Sequence, residues 1–229
     1  MASIADLQQQ AGIAFRNEGL LYRALTHRSY LNEHASVTED NERLEFLGDA
    51  VLDFLVGAML YNRFPEMQEG ELTRLRASLV RTEQLAELAR QIGLGPHIRL
   101  GKGEDEAGGR EREALLCDVF EAILGGLYLD SGLEAVKEFV ERLFLPVATE
   151  IAREQTDVDA KSFFQEWAQS ELNFTPQYVT VSAEGPDHEK MFTVEVRVNG
   201  EFYGTGAGRS KQAAARAAAL DALKRVGAI

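Results

Sequence analysis

The side chains best suited to chemistry are two short runs of carboxylates. In Asn41-Glu-Arg-Leu-Glu-Phe-Leu-Gly-Asp-Ala-Val-Leu52 the acids are Glu42, Glu45 and Asp49. On a helix of 3.6 residues per turn they fall within ~60° of one another. Asp118 and Glu121 repeat the three-residue spacing among Leu115, Val119, Ala122 and Ile123. Like charges stacked on one helix face oppose folding, and carboxylates among apolar neighbours do so more strongly unless protonated, paired or metal-bound. Solvation, or ion pairs with Arg43, Arg74 and Arg76, would account for any one of these acids. The set as a whole points to a hard divalent cation with oxygen ligands, Mg²⁺ or Mn²⁺. A di-iron bundle would need Glu-x-x-His pairs, and His27, His34, His97 and His188 all stand outside that spacing. Zinc is disfavoured for want of a Cys/His cluster.

Helices must position these acids. From Ile4 to about Arg153, apolar residues recur at three- and four-residue spacings, as in Leu44, Leu47, Val51, Phe54, Leu55 and Ala58, which reads as a buried stripe opposite the carboxylates. Gly93-Leu-Gly-Pro96, Gly101-Lys-Gly103 and Gly108-Gly109 read as loops between helices. The first 150 residues are therefore expected to be an all-α domain. Residues 151–159 are polar, without a convincing apolar face, and read as a flexible linker. Over 160–229 the pattern changes. Ala160–Leu172 is helical, with Phe163, Phe164 and Trp167 as apolar bulk. Gln177–Ala183 is a candidate strand, and Met191–Val198 alternates strictly. Asn199-Gly200 is a hairpin turn into Glu201–Ala207, and Ser210 can cap an Ala-rich final helix running to about Val226. The expected second domain is a small α+β unit of order α-β-β-β-α.

The net charge of −13 over 229 residues argues at first against a polyanionic partner. Residues 158–229, however, carry eight Lys/Arg and nine Asp/Glu, a net of −1; the remainder carries sixteen and twenty-eight, a net of −12. The acid excess thus belongs to the helical part. The single cysteine, Cys117, precludes an intrachain disulfide and suits a reducing cytoplasm. The N-terminus has no signal-peptide pattern. The most apolar run, Ala50–Tyr61, is interrupted by Asp53 and falls short of the ~20 residues of a membrane span. No membrane association and no organic cofactor are expected.

Residues 41–52 resemble the signature of the ribonuclease III family almost residue for residue. The resemblance continues through Gln68-Glu-Gly-Glu-Leu-Thr-Arg-Leu-Arg76, Gly108-Gly-Arg110 and Asp118-Val-Phe-Glu-Ala-Ile-Leu-Gly-Gly126. It implies a metal-dependent endoribonuclease acting on double-stranded RNA. Glu45, Asp49, Asp118 and Glu121 would be its catalytic metal ligands, and Glu42 and Glu69 the outer acidic positions. It further implies products with a 5′-phosphate, a 3′-hydroxyl and two-nucleotide 3′ overhangs, serving RNA processing and decay. A homodimer is also implied, in which Phe46, projecting beside the carboxylate face, plugs a cavity on the partner. Cys117 stands where a small residue is common, and His27, in Ala24-Leu-Thr-His-Arg-Ser-Tyr30, reads as a capping or packing residue.

The second domain resembles a double-stranded-RNA-binding domain, carried by Lys161-Ser-Phe-Phe-Gln-Glu166, Pro176-Gln-Tyr178, Gly185-Pro-Asp-His188 and Gly204-Thr-Gly-Ala-Gly-Arg-Ser-Lys-Gln-Ala213. Such domains read A-form shape through three separated patches. By position these would be Ser162, Gln165, Glu166 and Gln169 on the first helix, Pro186 and His188 in the strand loop, and Arg209, Ser210 and Lys211 at the start of the last helix. Gln212 replaces a basic residue usual there, which implies weaker RNA affinity than in a more basic member. Two rival readings are a regulator that shelters duplex RNA without cutting it, and a metabolic metalloenzyme with an appended RNA domain. The intact carboxylate set opposes the first, and the absence of a Gly-rich cofactor loop opposes the second.

Overall fold

The helical spacing of the first 150 residues and the strand alternation of the last 70 both appear as read. The computed structural model describes residues 3–186 and 190–229, with only the backbone described over 154–159. The chain divides into two units, 1–149 and 150–229.

The first unit is all-helical: α1 (Ile4–Ala11), α2 (Glu18–Ala24), α3 (Arg28–Leu31), α4 (Glu42–Arg63), α5 (Glu69–Leu79), α6 (Thr82–Gln91), α7 (Lys102–Glu106), α8 (Glu113–Ser131) and the first part of α9 (Leu133–Leu172). At its centre is α8, whose residues from Leu115 to Leu127 are buried apart from Asp118 and Glu121, which are half-buried. A helix apolar on nearly every side must be enclosed, and α8 packs against α2, α4 and α6. Phe120 is fully buried with its ring centroid 6.1 Å from those of both Phe139 and Phe144; burying each such ring contributes about 1.5–3 kcal/mol.

The approach of α4 to α8 is unusually close. A Cβ on Gly48 would fall on the Glu121 carbonyl oxygen, and one on Gly125 on the Leu44 carbonyl oxygen. Only glycine at both positions lets the two backbones touch.

Three expectations need correction. Phe54, assigned to the buried stripe of α4, is exposed, whereas Leu44, Val51 and Leu55 are buried; the buried arc is turned away from Phe54 and takes in Gly48, Leu52, Val56, Met59 and Leu60 instead. The Gly101-Lys-Gly103 loop opens α7, and Gly95–His97 and Gly109–Glu111 are 3₁₀ turns, so the glycines punctuate short helical pieces. Residues 151–159, read as a linker, have helical backbone within α9. That run holds neither Gly nor Pro, and its residues tolerate helix without an apolar face to bury.

The second unit continues from α9 into β1 (Gln177–Glu184), β2 (Met191–Val198), β3 (Glu201–Gly208) and α10 (Lys211–Arg225), with an antiparallel sheet of order β1-β2-β3. Asn199 and Gly200 turn with φ of 51° and 85°, the left-handed pair a two-residue hairpin requires. Val194, Val196 and Val198 bury one sheet face with Phe164 and the alanines of α10. Phe163, expected to add apolar bulk, is exposed. Gly204, Gly206 and Gly208 alternate along β3 where any Cβ would strike α10, so α10 lies directly on the sheet. Ser210 caps α10, its hydroxyl accepting from the Ala213 N–H at 3.1 Å.

Candidate active site and RNA-binding surface

Glu45 and Asp49 are placed by α4, Glu45 about one turn before Gly48 and Asp49 immediately after it; Asp118 and Glu121 are placed by α8, before Gly125. The glycine crossing brings the two pairs into one electrostatic unit. Burial raises the Glu45 carboxyl above its ordinary range, and Asp118, Glu42 and Asp49 raise it further. Glu121 is pushed up to about 7, first by burial and then by Asp49, Glu45 and Asp118. Asp118 is raised by burial, with His27 opposing. The four expected ligands therefore share one field, which Glu42 joins. Glu69 is exposed at the start of α5 and is not among the charges acting on Glu45 or Glu121.

Such mutual repulsion needs compensation, and the donor set is all carboxylate oxygen, the chemistry that fits Mg²⁺ or Mn²⁺ and not zinc. Among the described residues, no three His, Cys, Asp or Glu side chains stand close enough to form a closed metal cage. The fit therefore rests on donor chemistry and shared field. The Cys117 thiol donates to Glu121 Oε1 at 3.8 Å. Burial, followed by Glu121 and Asp118, lifts that thiol to about 12, so it stays protonated, as a small buried residue with one weak donor.

The segment beside Asp118 holds more than the sequence reading gave it. His27 caps α3, as expected for a helix end. Its Nδ1 accepts from the Ser29 N–H at 3.3 Å and lies 2.8 Å from Ser29 Oγ. The preceding Thr26, wholly buried, accepts the Asn41 N–H at 2.9 Å on its carbonyl, tying this segment to the first turn of α4. Asn41 is 2 % exposed and its side-chain Nδ2 has no partner. A cavity of about 420 Å³ opens between His27, Arg28, Arg112 and Asp118. The Thr-His-Arg-Ser run was visible in the sequence, but its nearness to Asp118 depends on how α3 and α8 meet.

In the second unit, Ser162, Gln165, Glu166 and Gln169 are all exposed and line one groove of about 500 Å³ with Ser170. Arg209, Ser210 and Lys211 are exposed at the start of α10, where backbone N–H groups favour anions. Pro186 is exposed; His188 lies outside the described residues.

Residues 17–148 match the family model described as Ribonuclease-III-like, and residues 160–226 match the Double-stranded RNA binding motif. Ribonuclease 3 of Geobacter metallireducens is 48% identical over 228 residues, covering 99% of this chain and 93% of that protein. Ribonuclease 3 of Geobacillus kaustophilus is 47% identical, covering 97% and 91%. The chain belongs to the ribonuclease III family. It joins an all-helical endoribonuclease domain to a double-stranded-RNA-binding domain. The crystal structure of the nuclease domain of ribonuclease III from Campylobacter jejuni matches the first of these, with TM-score 0.57 and 40% identity over 62% of this chain and 94% of that one. A second structure of that Campylobacter domain, at TM-score 0.56 and 39% identity over 62% and 99%, concerns a region involved in that protein's dimer formation. Among the described residues no helix is long and apolar enough to cross a membrane.

The raised Glu121 carboxyl gives this ribonuclease III domain a pH signature without added metal. Its protonated form is the one the fold favours, so its contribution to stability is complete below the unfolded-chain value near 4.5 and is lost as pH rises through about 7. Glu121→Gln has no charge to desolvate. In a chelating buffer, denaturant unfolding should find the variant no more stable than wild type near pH 5, but more stable by about 1–2 kcal/mol near pH 8. A difference that does not change with pH would contradict the burial of this carboxyl.

Proposed function

We propose that this endoribonuclease hydrolyses phosphodiester bonds of double-stranded RNA with a divalent cation held by Glu45, Asp49, Asp118 and Glu121, acting in the cytoplasm on RNA processing and decay. The observation that carries the reading is the mutual field of these four acids on two helices whose backbones touch at Gly48 and Gly125. Mg²⁺ is the expected ion, with Mn²⁺ able to replace it. When bound, the cation supplies water activation and stabilises charge on the attacking and leaving oxygens. The chain itself positions the ligands, keeps Glu121 poised between its protonation states near neutral pH, and offers no side-chain nucleophile at the cluster. Glu42 acts as an outer acid through its effect on Glu45. Glu69 keeps that assignment by family position alone. Products with a 5′-phosphate, a 3′-hydroxyl and two-nucleotide 3′ overhangs follow from family membership. Binding of the duplex falls to the groove of Ser162, Gln165, Glu166 and Gln169, to Pro186 and His188, and to Arg209, Ser210 and Lys211 at the α10 N-terminus.

Cleavage of a labelled RNA duplex of about 30 bp in Mg²⁺ tests this. Wild type should cut. Glu121→Gln should bind the duplex while cutting more than about 100-fold more slowly, beyond the usual loss for an outer-sphere partner of a metal. Binding by both with cutting by neither would instead favour the sheltering regulator.

The working form is a homodimer. Phe46 is 80 % exposed and stands on the wall of a hollow of about 530 Å³ that Leu44, Leu47 and Leu129 also line, with Arg23, Glu42 and Arg43 on its polar side. A knob and a hollow on one face suit a two-fold interface, in which each patch meets its own copy. Sedimentation should give the mass of a dimer for wild type, and dissociation at least about 30-fold easier for Phe46→Ala, the effect of losing an aromatic anchor. A monomeric wild type, or a variant that dimerises equally well, would rule out this role.

A further inference from the structure

The carboxylate cluster sits in the part of the chain with a net charge of −12 by residue count, yet its substrate is a polyanion. Something beside the acids must receive a phosphate. The cavity of about 420 Å³ next to Asp118 has the composition for it: His27, Arg28, Ser29 and Arg112 line its walls. From this geometry we propose that it is a binding subsite for a backbone phosphate of the RNA strand being cut, with Arg28 and Arg112 as its charged ligands and His27 as a further donor. The proposal rests on the nuclease reading above and extends it to these residues.

The hydrogen bonds fix what each group can offer. Ser29 Oγ accepts the Gly101 N–H at 2.9 Å and lies 2.8 Å from His27 Nδ1. Nδ1 also accepts the Ser29 N–H. With Nδ1 engaged by Ser29, Nε2 is the ring nitrogen left to present a donor to the cavity. Both arginines are paired with acids. Arg28 Nη1 is 3.3 Å from Glu42 Oε1, with the side chains 73 % and 55 % exposed. Arg112 pairs with Glu104, itself on the cavity wall. The exposed Arg28–Glu42 pair contributes little and exchanges readily; the Glu104 side chain beside Arg112 is only 23 % exposed. A phosphate oxygen is a better partner for a guanidinium than either carboxylate, because it accepts in the same forked geometry and brings its own charge to neutralise. Glu42 and Glu104 thus hold the guanidinium groups at the rim until RNA displaces them. Arg112 also stands immediately before α8, so a phosphate bound there is registered directly against Asp118 and Glu121 on that helix.

The test uses the full chain in Mg²⁺. Duplex binding is measured against salt concentration in the Glu121→Gln background, and wild-type cleavage is measured alongside. Adding Arg112→Ala should weaken binding about fivefold or more and make the slope of log affinity on log salt shallower by about one phosphate's worth, ~0.9. Arg112→Lys should keep most of the slope, and Glu104→Gln, which frees Arg112, should tighten binding. In the otherwise wild-type enzyme, Arg112→Ala should raise KM with kcat little changed. A salt slope unmoved by Arg112→Ala, while wild type still cuts, overturns the subsite and leaves the nuclease reading standing. Inorganic phosphate that binds at millimolar concentration in an Arg112-dependent way, with the RNA slope unmoved, would mark a free-anion site and likewise overturn it. A wild type that leaves the duplex whole overturns the nuclease reading and the subsite together.

Discussion

Backbone contact between α4 and α8 at Gly48 and Gly125 governs the arrangement of the nuclease unit. Two helices carrying ordinary side chains at their crossing stand 8–10 Å apart. Here neither glycine has room for a methyl group, because the opposing carbonyl oxygen of Glu121 or Leu44 occupies that space. Glu45 and Asp49 flank one glycine and Glu121 lies one turn before the other, so the same contact that closes the core sets the acids of two helices against each other. A wider crossing would give two solvated acidic faces, each with ordinary carboxyls. The close one gives a single cluster in which the half-buried Glu45 and Glu121 each feel the charge of acids on both helices.

That cluster is a local conflict inside an otherwise consistent fold. The rest of α8 is as apolar as a core helix can be, and the fully buried Phe120 and Phe144 anchor it. The stability supplied by this core allows the carboxylates to persist at positions where apolar residues would pack without opposition, and such positions are where functional groups concentrate. The second unit uses the same device for a different end. Its glycines at 204, 206 and 208 seat α10 directly on the sheet, which fixes the start of that helix, with Arg209, Ser210 and Lys211, relative to the groove on the last part of α9.

Much of this was legible in the sequence because the signals were local. The helices that carry Glu45, Asp49, Asp118 and Glu121, the Asn199-Gly200 turn, the alternation of Met191–Val198 and the Ser210 cap each need only a few neighbouring residues to be read, and each of these elements is present. What failed depended on tertiary context. Phe54 satisfies the apolar spacing of α4, but no helix reaches it. Phe163 precedes the buried Phe164 yet faces outward. Residues 151–159 lack an apolar face but also lack any helix breaker, and their backbone stays helical. The cavity at His27, Arg28 and Arg112 joins segments some 80 residues apart in the chain, and no periodicity could have assembled it.

The central claim is that acids from two helices form one cation site. It is tested most directly by titrating Mn²⁺ into wild type, Glu45→Gln, Glu121→Gln and the double variant, and closing the cycle of binding free energies. If both carboxylates serve the same ion, each single change should remove most of the affinity, and the double change should add little, leaving a coupling of at least about 1 kcal/mol. Effects that simply add, with each variant losing its own independent share, would mean that the carboxylates of α4 and α8 act separately and that the crossing at Gly48 and Gly125 does not build a common site.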